Sequence, residues 1–227
     1  MSKVMWQPST ERAEGSQMNQ FRLFVNKKFA LELDNYSDLY NWSVNEITHF
    51  WEAVWSFENP VVSKDYKQVV DDDSKMPGAK WFSGARLNFA ENLLSRRDNH
   101  TAILSRGEGK EDRQISYIEL YSEVEKMAAA LREAGVKQSD RVAGFLPNIP
   151  EAVIAMLGAA SLGAVWSSSS PDFGIKGVLD RFRQIEPKVL FAADGYQYNG
   201  KRINSLDKLK EILTELPSVE KVVVVPF

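Results

Sequence analysis

The sequence contains no cysteine and only two histidines, His49 and His100, among its 227 residues. The absence of cysteine excludes a disulfide framework, a cysteine-ligated zinc site and a thiolate nucleophile. A histidine-rich metal site or a Ser-His-Asp triad would have to use one of the two histidines, and the sequence indicates no partner for either. Residues 1–8 contain no apolar segment of signal-peptide length, so we expect a cytoplasmic protein.

A strong charge imbalance and a continuous apolar run are also lacking. The formal net charge is −3, which gives no reason to expect nucleic acid or an anionic membrane as a partner. The longest uncharged run, residues 152–171, contains two glycines and four consecutive serines and is too polar to cross a bilayer. It predicts a buried helix followed by a buried strand. Hydrophobic residues make up 44% of the chain, which excludes disorder over its whole length.

The first part of the chain is expected to be a helical N-terminal region covering residues 1–95. A helix is predicted to start near Ser16, and the Ser43-x-x-Glu46 pattern predicts the capping box of a second helix. Apolar residues after Glu46 recur at helical spacing and indicate a face that docks on the rest of the protein. Residues 71–73 are three aspartates, which could bind a divalent cation or form a solvated turn, and the turn is favoured.

Residues 96–227 show alternating strand and helix patterns. The predicted strands are 101–105, 141–146, 164–168, 188–193 and 219–225, and the predicted helices are 116–134, 148–162, 172–185 and 205–216. This alternation is typical of βαβ units with right-handed crossovers. The predicted fold class is therefore α/β, with a helical N-terminal lead-in followed by a mostly parallel sheet.

The loop after the strand at 188–193 carries the first candidate site. Residues 195–201 fit the pattern G-x-x-x-x-G-K. A nucleoside-triphosphate loop needs Ser or Thr next and a helix immediately after, whereas Arg202 follows and the next helix signal is Ser205. A plain polar turn is favoured over that loop. A further alternative is that Lys201 and Arg202 contact a phosphate while Tyr198 stacks on a base.

Two other segments are candidate sites. The serines at 167–170, followed by Pro-Asp-Phe-Gly, could bind an anion at a helix start, but capping of the helix by Ser170 or Asp172 is favoured. Residues 80–92 are dense in aromatic and amide side chains and read as a packing linker. From the residues alone the chain is an α/β ligand-binding domain.

Three segments together resemble the AMP-forming acyl-CoA synthetases of the adenylate-forming superfamily. Residues 81–88 (WFSGARLN) resemble the W-F-x-G-x-x-L-N motif of short-chain members, and residues 141–151 are similar to an early strand–turn–helix signature of the superfamily. Residues 170–196 are most similar to the acetoacetyl-CoA synthetase branch. The resemblance extends from about residue 36 to the end and implies part of the N-terminal domain of the adenylate-forming fold.

The resemblance implies an acid–thiol ligase that uses ATP, Mg²⁺ and coenzyme A. Such enzymes activate a carboxylate as an acyl-adenylate and then transfer the acyl group to the thiol of coenzyme A. The phosphate loop ending in Pro-Lys, the adenine motif, the ribose-binding Asp and the catalytic Lys of the family are not found in this sequence. The chain is therefore expected to be an N-terminal part of such an enzyme, inactive alone, with no catalytic residue and no metal ligand of its own.

One binding element is implied by position. In related acetyl-CoA enzymes, the loop after the strand at 188–194 contacts the 3′-phospho-ADP end of coenzyme A through arginines. In this sequence the loop offers Tyr198, Asn199, Gly200, Lys201 and Arg202, so a partial coenzyme A site is expected there.

The sequence leaves two alternatives open and predicts one interaction surface. The acyl substrate expected is acetoacetate, with acetate or propionate as alternatives. A free-standing, non-catalytic module that binds a nucleotide-like ligand is the alternative from another class. The valine run at 222–225 is typical of a central strand, and its exposed edge predicts self-association.

Overall fold

The computed structural model describes residues 5–227 and divides after Leu87 into two compact units. Unit 1 is mainly helical. Its helices are α1 (Thr10–Glu14), α2 (Gln17–Phe29), α3 (Tyr36–Asn45) and α4 (Ile47–Glu58), and its strands β1 (Gln68–Val70) and β2 (Trp81–Ser83) pair antiparallel.

The core of unit 1 is aromatic and lies between α2, α3 and α4. Phe21, Val25, Leu39 and Ala53 are buried at its centre. The Phe21 ring meets the Phe57 ring edge-on, with the centroids 5.3 Å apart, a geometry that aromatic pairs prefer. The predicted helix starting at Ser16 is confirmed, since the Ser16 hydroxyl caps α2.

The predicted capping box at Ser43 is wrong. Ser43 lies inside α3, where its hydroxyl donates to the carbonyl of Tyr40 at 2.8 Å. Ser43 belongs to the preceding helix α3, which is capped by the Asn35 side chain accepting the Asp38 N–H, and the helix with the predicted apolar face is α4, which begins at Ile47. Glu46 ends α3 and immediately precedes α4, with no side-chain cap of its own.

Unit 2 contains a four-stranded parallel sheet. Its elements are α5 (Phe89–Leu93), β3 (Thr101–Ser105), β4 (Arg113–Ser116), α6 (Tyr117–Glu133), β5 (Arg141–Phe145), α7 (Pro150–Ser161), β6 (Val165–Ser169), α8 (Ile175–Ile185), β7 (Val189–Ala193), β8 (Gly195–Tyr198), β9 (Lys201–Asn204), α9 (Leu206–Thr214) and β10 (Lys221–Val225). The parallel strands follow the order β10-β7-β5-β6, while β3 pairs with β4 and β8 with β9 as antiparallel hairpins.

Helices cover both faces of the parallel sheet. On one face, side chains of β5 and β7 such as Val142 and Phe191 pack with α6 and α7. On the other face, Phe145 and Leu190 pack with α8 and α9. Alternate residues of each strand therefore enter opposite cores, as expected for a strand buried on both sides. The predicted α/β class with a mostly parallel sheet is confirmed.

Several predicted boundaries move by a few residues. The helix predicted over 172–185 begins at Ile175, and the helix predicted from Asn148 begins at Pro150 with Ile149 at the N-cap. The second capping box, at Ser116 and Glu119, is present with both of its hydrogen bonds. The segment 152–171 forms most of α7 and then β6. Within residues 5–227, no helix has both the length and the apolar character that a membrane span requires.

Candidate functional site

The candidate site lies at the carboxyl ends of β5 and β7. From β5 the chain moves to β6 on one side and then returns across β5 to β7 on the other side. Ligands of open α/β sheets bind where the strand order reverses in this way. A cavity of about 350 Å³ lies here, between the loop after β5, the start of β8, the end of β10 and the β3–β4 loop.

The segment predicted to bind coenzyme A is a β-hairpin. β8 and β9 pair antiparallel, and the two turn residues between them, Asn199 and Gly200, have positive φ values of 50° and 74°. Positive φ at both central positions is what a two-residue type I′ turn requires, and Asn-Gly is its preferred sequence. This geometry differs from a nucleoside-triphosphate loop, which runs directly into a helix, because α9 starts only at Leu206.

The hairpin divides the predicted site residues between two faces. Tyr198 pairs with Lys201, and Gln197 pairs with Arg202. Since successive side chains of a strand point to opposite faces, Tyr198 and Lys201 share one face, and Gln197 and Arg202 share the other. Tyr198 is 64% exposed and Lys201 is also exposed. One face therefore presents a cation beside an aromatic ring to solvent.

The root of the hairpin is anchored by Tyr196. Its side chain is buried, and the Asp172 carboxylate lies near its hydroxyl. Burial, followed by the interaction with the Asp172 carboxylate, raises the pKa of Tyr196 above its ordinary value. Asp172 also accepts a hydrogen bond from the Ser170 hydroxyl at 3.1 Å. The Ser-Pro-Asp segment after β6 thus holds the start of β8 in place.

Asp194 connects the hairpin to the parallel sheet. Its N–H donates to the Val225 carbonyl at 3.1 Å, and its carboxylate accepts the Phe227 N–H at 2.9 Å. Its carbonyl accepts the Ser205 N–H at 3.0 Å. Because Asp194 precedes β8 and Ser205 follows β9, this hydrogen bond joins the two ends of the hairpin. The next residue, Gly195, leaves room for the opposite strand, because a Cβ there would lie 2.6 Å from the Ile203 carbonyl oxygen.

The serine-rich segment does not cap the following helix. The N-cap of α8 is Gly174 with no side-chain cap, so the expected capping by Ser170 or Asp172 is wrong. Those two side chains bond to each other instead. Within residues 5–227, the hydroxyls of Ser169 and Ser205 are buried with no hydrogen-bond partner shown.

The aspartates at 71–73 belong to a turn of unit 1. The Asp71 carboxylate accepts the Lys80 N–H at 2.7 Å and the Lys75 ammonium at 3.1 Å. The backbone hydrogen bond, followed by the Lys75 contact, lowers the pKa of Asp71 to about 2. In the described part of the chain no group of three or more His, Asp or Glu side chains could hold a metal ion.

The aromatic segment at 80–92 supplies structural contacts. The Phe82 ring stacks on the Trp55 ring, with the centroids 4.5 Å apart, in unit 1. In unit 2, the Asn88 side chain caps α5 and donates to the Ala160 carbonyl at 2.9 Å. The aromatic and amide side chains of residues 80–92 are therefore used in packing and capping.

Sequence reasoning missed the hairpin and the residues that hold it. The signal was present, since an Asn-Gly pair follows the alternating residues 196–198. The roles of Asp172 and Asp194 depend on residues distant in sequence, and no local pattern indicates them.

Comparison with known proteins defines the family. Residues 89–227 match the AMP-binding enzyme family model, and residues 36–93 match the model for the acetyl-coenzyme A synthetase N-terminus. The chain therefore belongs to the AMP-binding enzyme family.

Within that family, the chain is similar to acetoacetyl-CoA synthetases. It is 48% identical to the acetoacetyl-CoA synthetase of Gallus gallus over 100% of this chain, and 46% identical to that of Macaca fascicularis over 99%. It covers 34% of each of these two relatives. The solved structure of acetoacetyl-CoA synthetase from Streptomyces lividans superposes with a TM-score of 0.93 at 40% identity, over 99% of this chain and 35% of that one. The chain thus spans about a third of the length of the relatives it matches.

Proposed function

We propose that this chain is the N-terminal part of an ATP-dependent ligase that joins acetoacetate to coenzyme A. The overall reaction would convert acetoacetate, ATP and coenzyme A into acetoacetyl-CoA, AMP and diphosphate. The carboxylate oxygen would attack the α-phosphorus and release diphosphate, and the thiol of coenzyme A would then displace AMP from the acyl carbon.

The observation that carries this proposal is the extent of the similarity. Identity of 46–48% to acetoacetyl-CoA synthetases runs over practically the whole chain, and the backbone superposition with a solved member is equally complete. Both units of the chain are included in that match. A fold shared without sequence similarity would support only the fold class.

Within this function, the hairpin would bind the phosphate-bearing end of coenzyme A. The exposed Lys201 ammonium would pair with a phosphate, and the Tyr198 ring on the same face would cover the adenine. Arg202 lies on the opposite face and would contribute less. The donor set fits an anionic nucleotide, because a cation and an aromatic ring lie on the same solvent-exposed face of the hairpin.

The chain alone would not complete the reaction. The Ser/Thr/Gly-rich loop ending in Pro-Lys that holds ATP phosphates in the family is not found in the sequence. ATP with Mg²⁺ would supply the activating adenylyl group in the complete enzyme. This chain would contribute the β8–β9 hairpin and the part of the parallel sheet that lies beside the substrates.

A binding and turnover experiment tests the proposal. Coenzyme A added to the ¹⁵N-labelled chain should shift the amide resonances of Tyr198 and Lys201, and leave those of unit 1 unchanged. Incubation with ATP, acetoacetate and coenzyme A should release no AMP. AMP release by the chain would overturn the expected inactivity, and shifts confined to other regions would overturn the assigned site.

The identity of the acyl substrate, and the alternative that the protein is a binding module without catalysis, need a separate measurement. In a complete protein that contains this chain, coenzyme A-dependent AMP release should be faster with acetoacetate than with acetate or propionate. A preference for either of the other acids would change the substrate. No turnover with any of the three would favour a nucleotide-binding module without catalysis.

A further inference from the structure

The loop between β3 and β4, residues 106–112, contacts the hairpin of the candidate site. The Glu108 carboxylate accepts a hydrogen bond from the Gly200 N–H, which lies 92 positions later in the sequence. Next to it, Gly109 has a φ of +70°, and a Cβ there would come within 2.5 Å of the Gln197 side-chain oxygen. The loop and the hairpin are therefore in close contact at two neighbouring points.

The contact identifies which face of the hairpin the loop covers. Gln197 lies on the same face as its cross-strand partner Arg202. Because Gly109 packs against Gln197, the loop lies on that face. The opposite face, with Tyr198 and Lys201, is left open to solvent.

Other carboxylates pair with the arginines near Glu108, so the Glu108 carboxylate is available to accept the hydrogen bond from the Gly200 N–H. Arg106 pairs with Asp112 at 2.8 Å, and Arg113 pairs with Glu151 at 2.7 Å. Both arginines that flank Glu108 in sequence are thus engaged by other carboxylates. A carboxylate that accepts a backbone N–H makes a stronger hydrogen bond than a neutral acceptor does.

The turn needs such a restraint. An isolated two-stranded hairpin is at best marginally stable in water. The Gly200 N–H lies inside the two-residue turn and bonds to Glu108. Without Glu108 this donor would face solvent, and the turn that places Lys201 opposite Tyr198 would lose its hydrogen bond to the β3–β4 loop.

We propose that Glu108 is a positioning residue that fixes the Asn199–Gly200 turn and thereby holds the Tyr198–Lys201 face in the geometry that binds a phosphorylated nucleotide. This inference rests on the proposed function for its ligand, which is the 3′-phospho-ADP part of coenzyme A. The contact itself is independent of any ligand, and it can be measured without one.

The test compares three variants of the 227-residue chain by NMR. Glu108→Ala removes the acceptor, Glu108→Gln keeps an acceptor without the charge, and Glu111→Ala removes a carboxylate of the same loop as a matched control. In Glu108→Ala, the exchange of the Gly200 and Lys201 amide protons with D₂O should accelerate about three- to tenfold, the loss expected for one hydrogen bond. Glu108→Gln should restore most of the protection, and Glu111→Ala should match the unmodified chain.

Coenzyme A binding then separates this inference from the proposed function. Glu108→Ala should weaken binding about three- to tenfold, and Glu108→Gln should recover most of the affinity. Unchanged amide exchange, or tighter binding after loss of the carboxylate, would overturn the role of Glu108. If the unmodified chain does not bind coenzyme A while Gly200 exchange responds to Glu108→Ala, the ligand assignment fails and the turn restraint stands.

Discussion

Tyr198 and Lys201 lie directly opposite each other across β8 and β9, one on each side of the Asn199–Gly200 turn. Side chains at such paired positions have Cβ atoms about 5 Å apart, so Tyr198 and Lys201 leave the backbone next to each other on one face of the hairpin. Arg202, the next cation along the chain, lies on the other face. Of the five residues that the family resemblance indicates, we therefore propose Tyr198 and Lys201 as the pair that contacts the ligand.

The first prediction concerns the two cations of the hairpin. Lys201→Ala should weaken coenzyme A binding about three- to tenfold, because an exposed charge-assisted hydrogen bond to phosphate is lost. Arg202→Ala should have a smaller effect, since Arg202 lies on the face of the hairpin opposite Tyr198 and Lys201. Isothermal titration of each variant with coenzyme A measures both values.

A control for that comparison is Lys210→Ala. Lys210 is exposed on α9 and forms a 3.8 Å pair with Asp207, away from the hairpin. The substitution changes the net charge by the same amount, so it should leave the affinity unchanged. If all three alanine substitutions weaken coenzyme A binding equally, the effect is a nonspecific one of charge. That result would contradict binding at the Tyr198–Lys201 face.

The second prediction concerns Gly195. Gly195→Ala should destabilise the chain by about 1–3 kcal/mol, because the new Cβ would lie 2.6 Å from the Ile203 carbonyl oxygen, and that backbone would have to move. Urea unfolding measures the change. Gly107→Ala is the matched control, since Gly107 is not at a positive φ and the atoms nearest to the Cβ that it adds are 3.9 Å away. Equal stability of the two variants would contradict the close strand contact.

The third prediction concerns acid stability in unit 1. The pKa of Asp71 is lowered to about 2 in the folded chain from an ordinary value of 3.8. Its stabilising contribution is therefore complete above pH 3.8 and is lost as the pH falls from 3.8 towards 2. Asp71→Asn should lower the free energy of unfolding at pH 7 and flatten its decline over that range.

Asp73→Asn serves as the control for this titration. It removes a carboxylate from the same turn, and no hydrogen bond or ion pair of Asp73 is found in the described structure. Urea unfolding at several pH values should show the ordinary acid decline for Asp73→Asn. An undiminished decline in Asp71→Asn would mean that the decline comes from other carboxylates.

The fourth prediction concerns the edge of the parallel sheet. Within residues 5–227 β10 pairs with β7 alone, and Val222, Val223 and Val224 are 38%, 38% and 47% exposed. An unpaired apolar edge is a template for another chain, so we propose concentration-dependent self-association. Val224→Lys should reduce it in sedimentation velocity. A chain that stays monomeric at high concentration would contradict this proposal.

The sequence indicated the parallel part of the fold well. β5, β7 and β10 are short, mostly apolar runs between turn signals, and each connecting helix has apolar residues at helical spacing. For the central strands β5 and β7 these local patterns sufficed, because burial on both faces demands apolar residues at nearly every strand position. Composition alone would not have set the order β10-β7-β5-β6, which depends on contacts between distant strands.

The candidate site was less predictable. The short strands β8 and β9 carry polar residues, and the pattern G-x-x-x-x-G-K indicated a loop rather than a hairpin. Glu108, Asp172 and Asp194 act through residues far away in the sequence, so no spacing rule could indicate them. The misplaced cap at Ser43 has a similar origin, since Asn35 offered an earlier N-cap and the helix extended through Ser43.

The most direct test is to compare coenzyme A with dephospho-coenzyme A, which lacks only the 3′-phosphate, by isothermal titration of the unmodified chain and of Lys201→Ala. We predict that the unmodified chain binds coenzyme A about three- to tenfold more tightly than dephospho-coenzyme A, and that Lys201→Ala abolishes this difference. Equal affinities for the two ligands in the unmodified chain would contradict a phosphate contact at the Tyr198–Lys201 face.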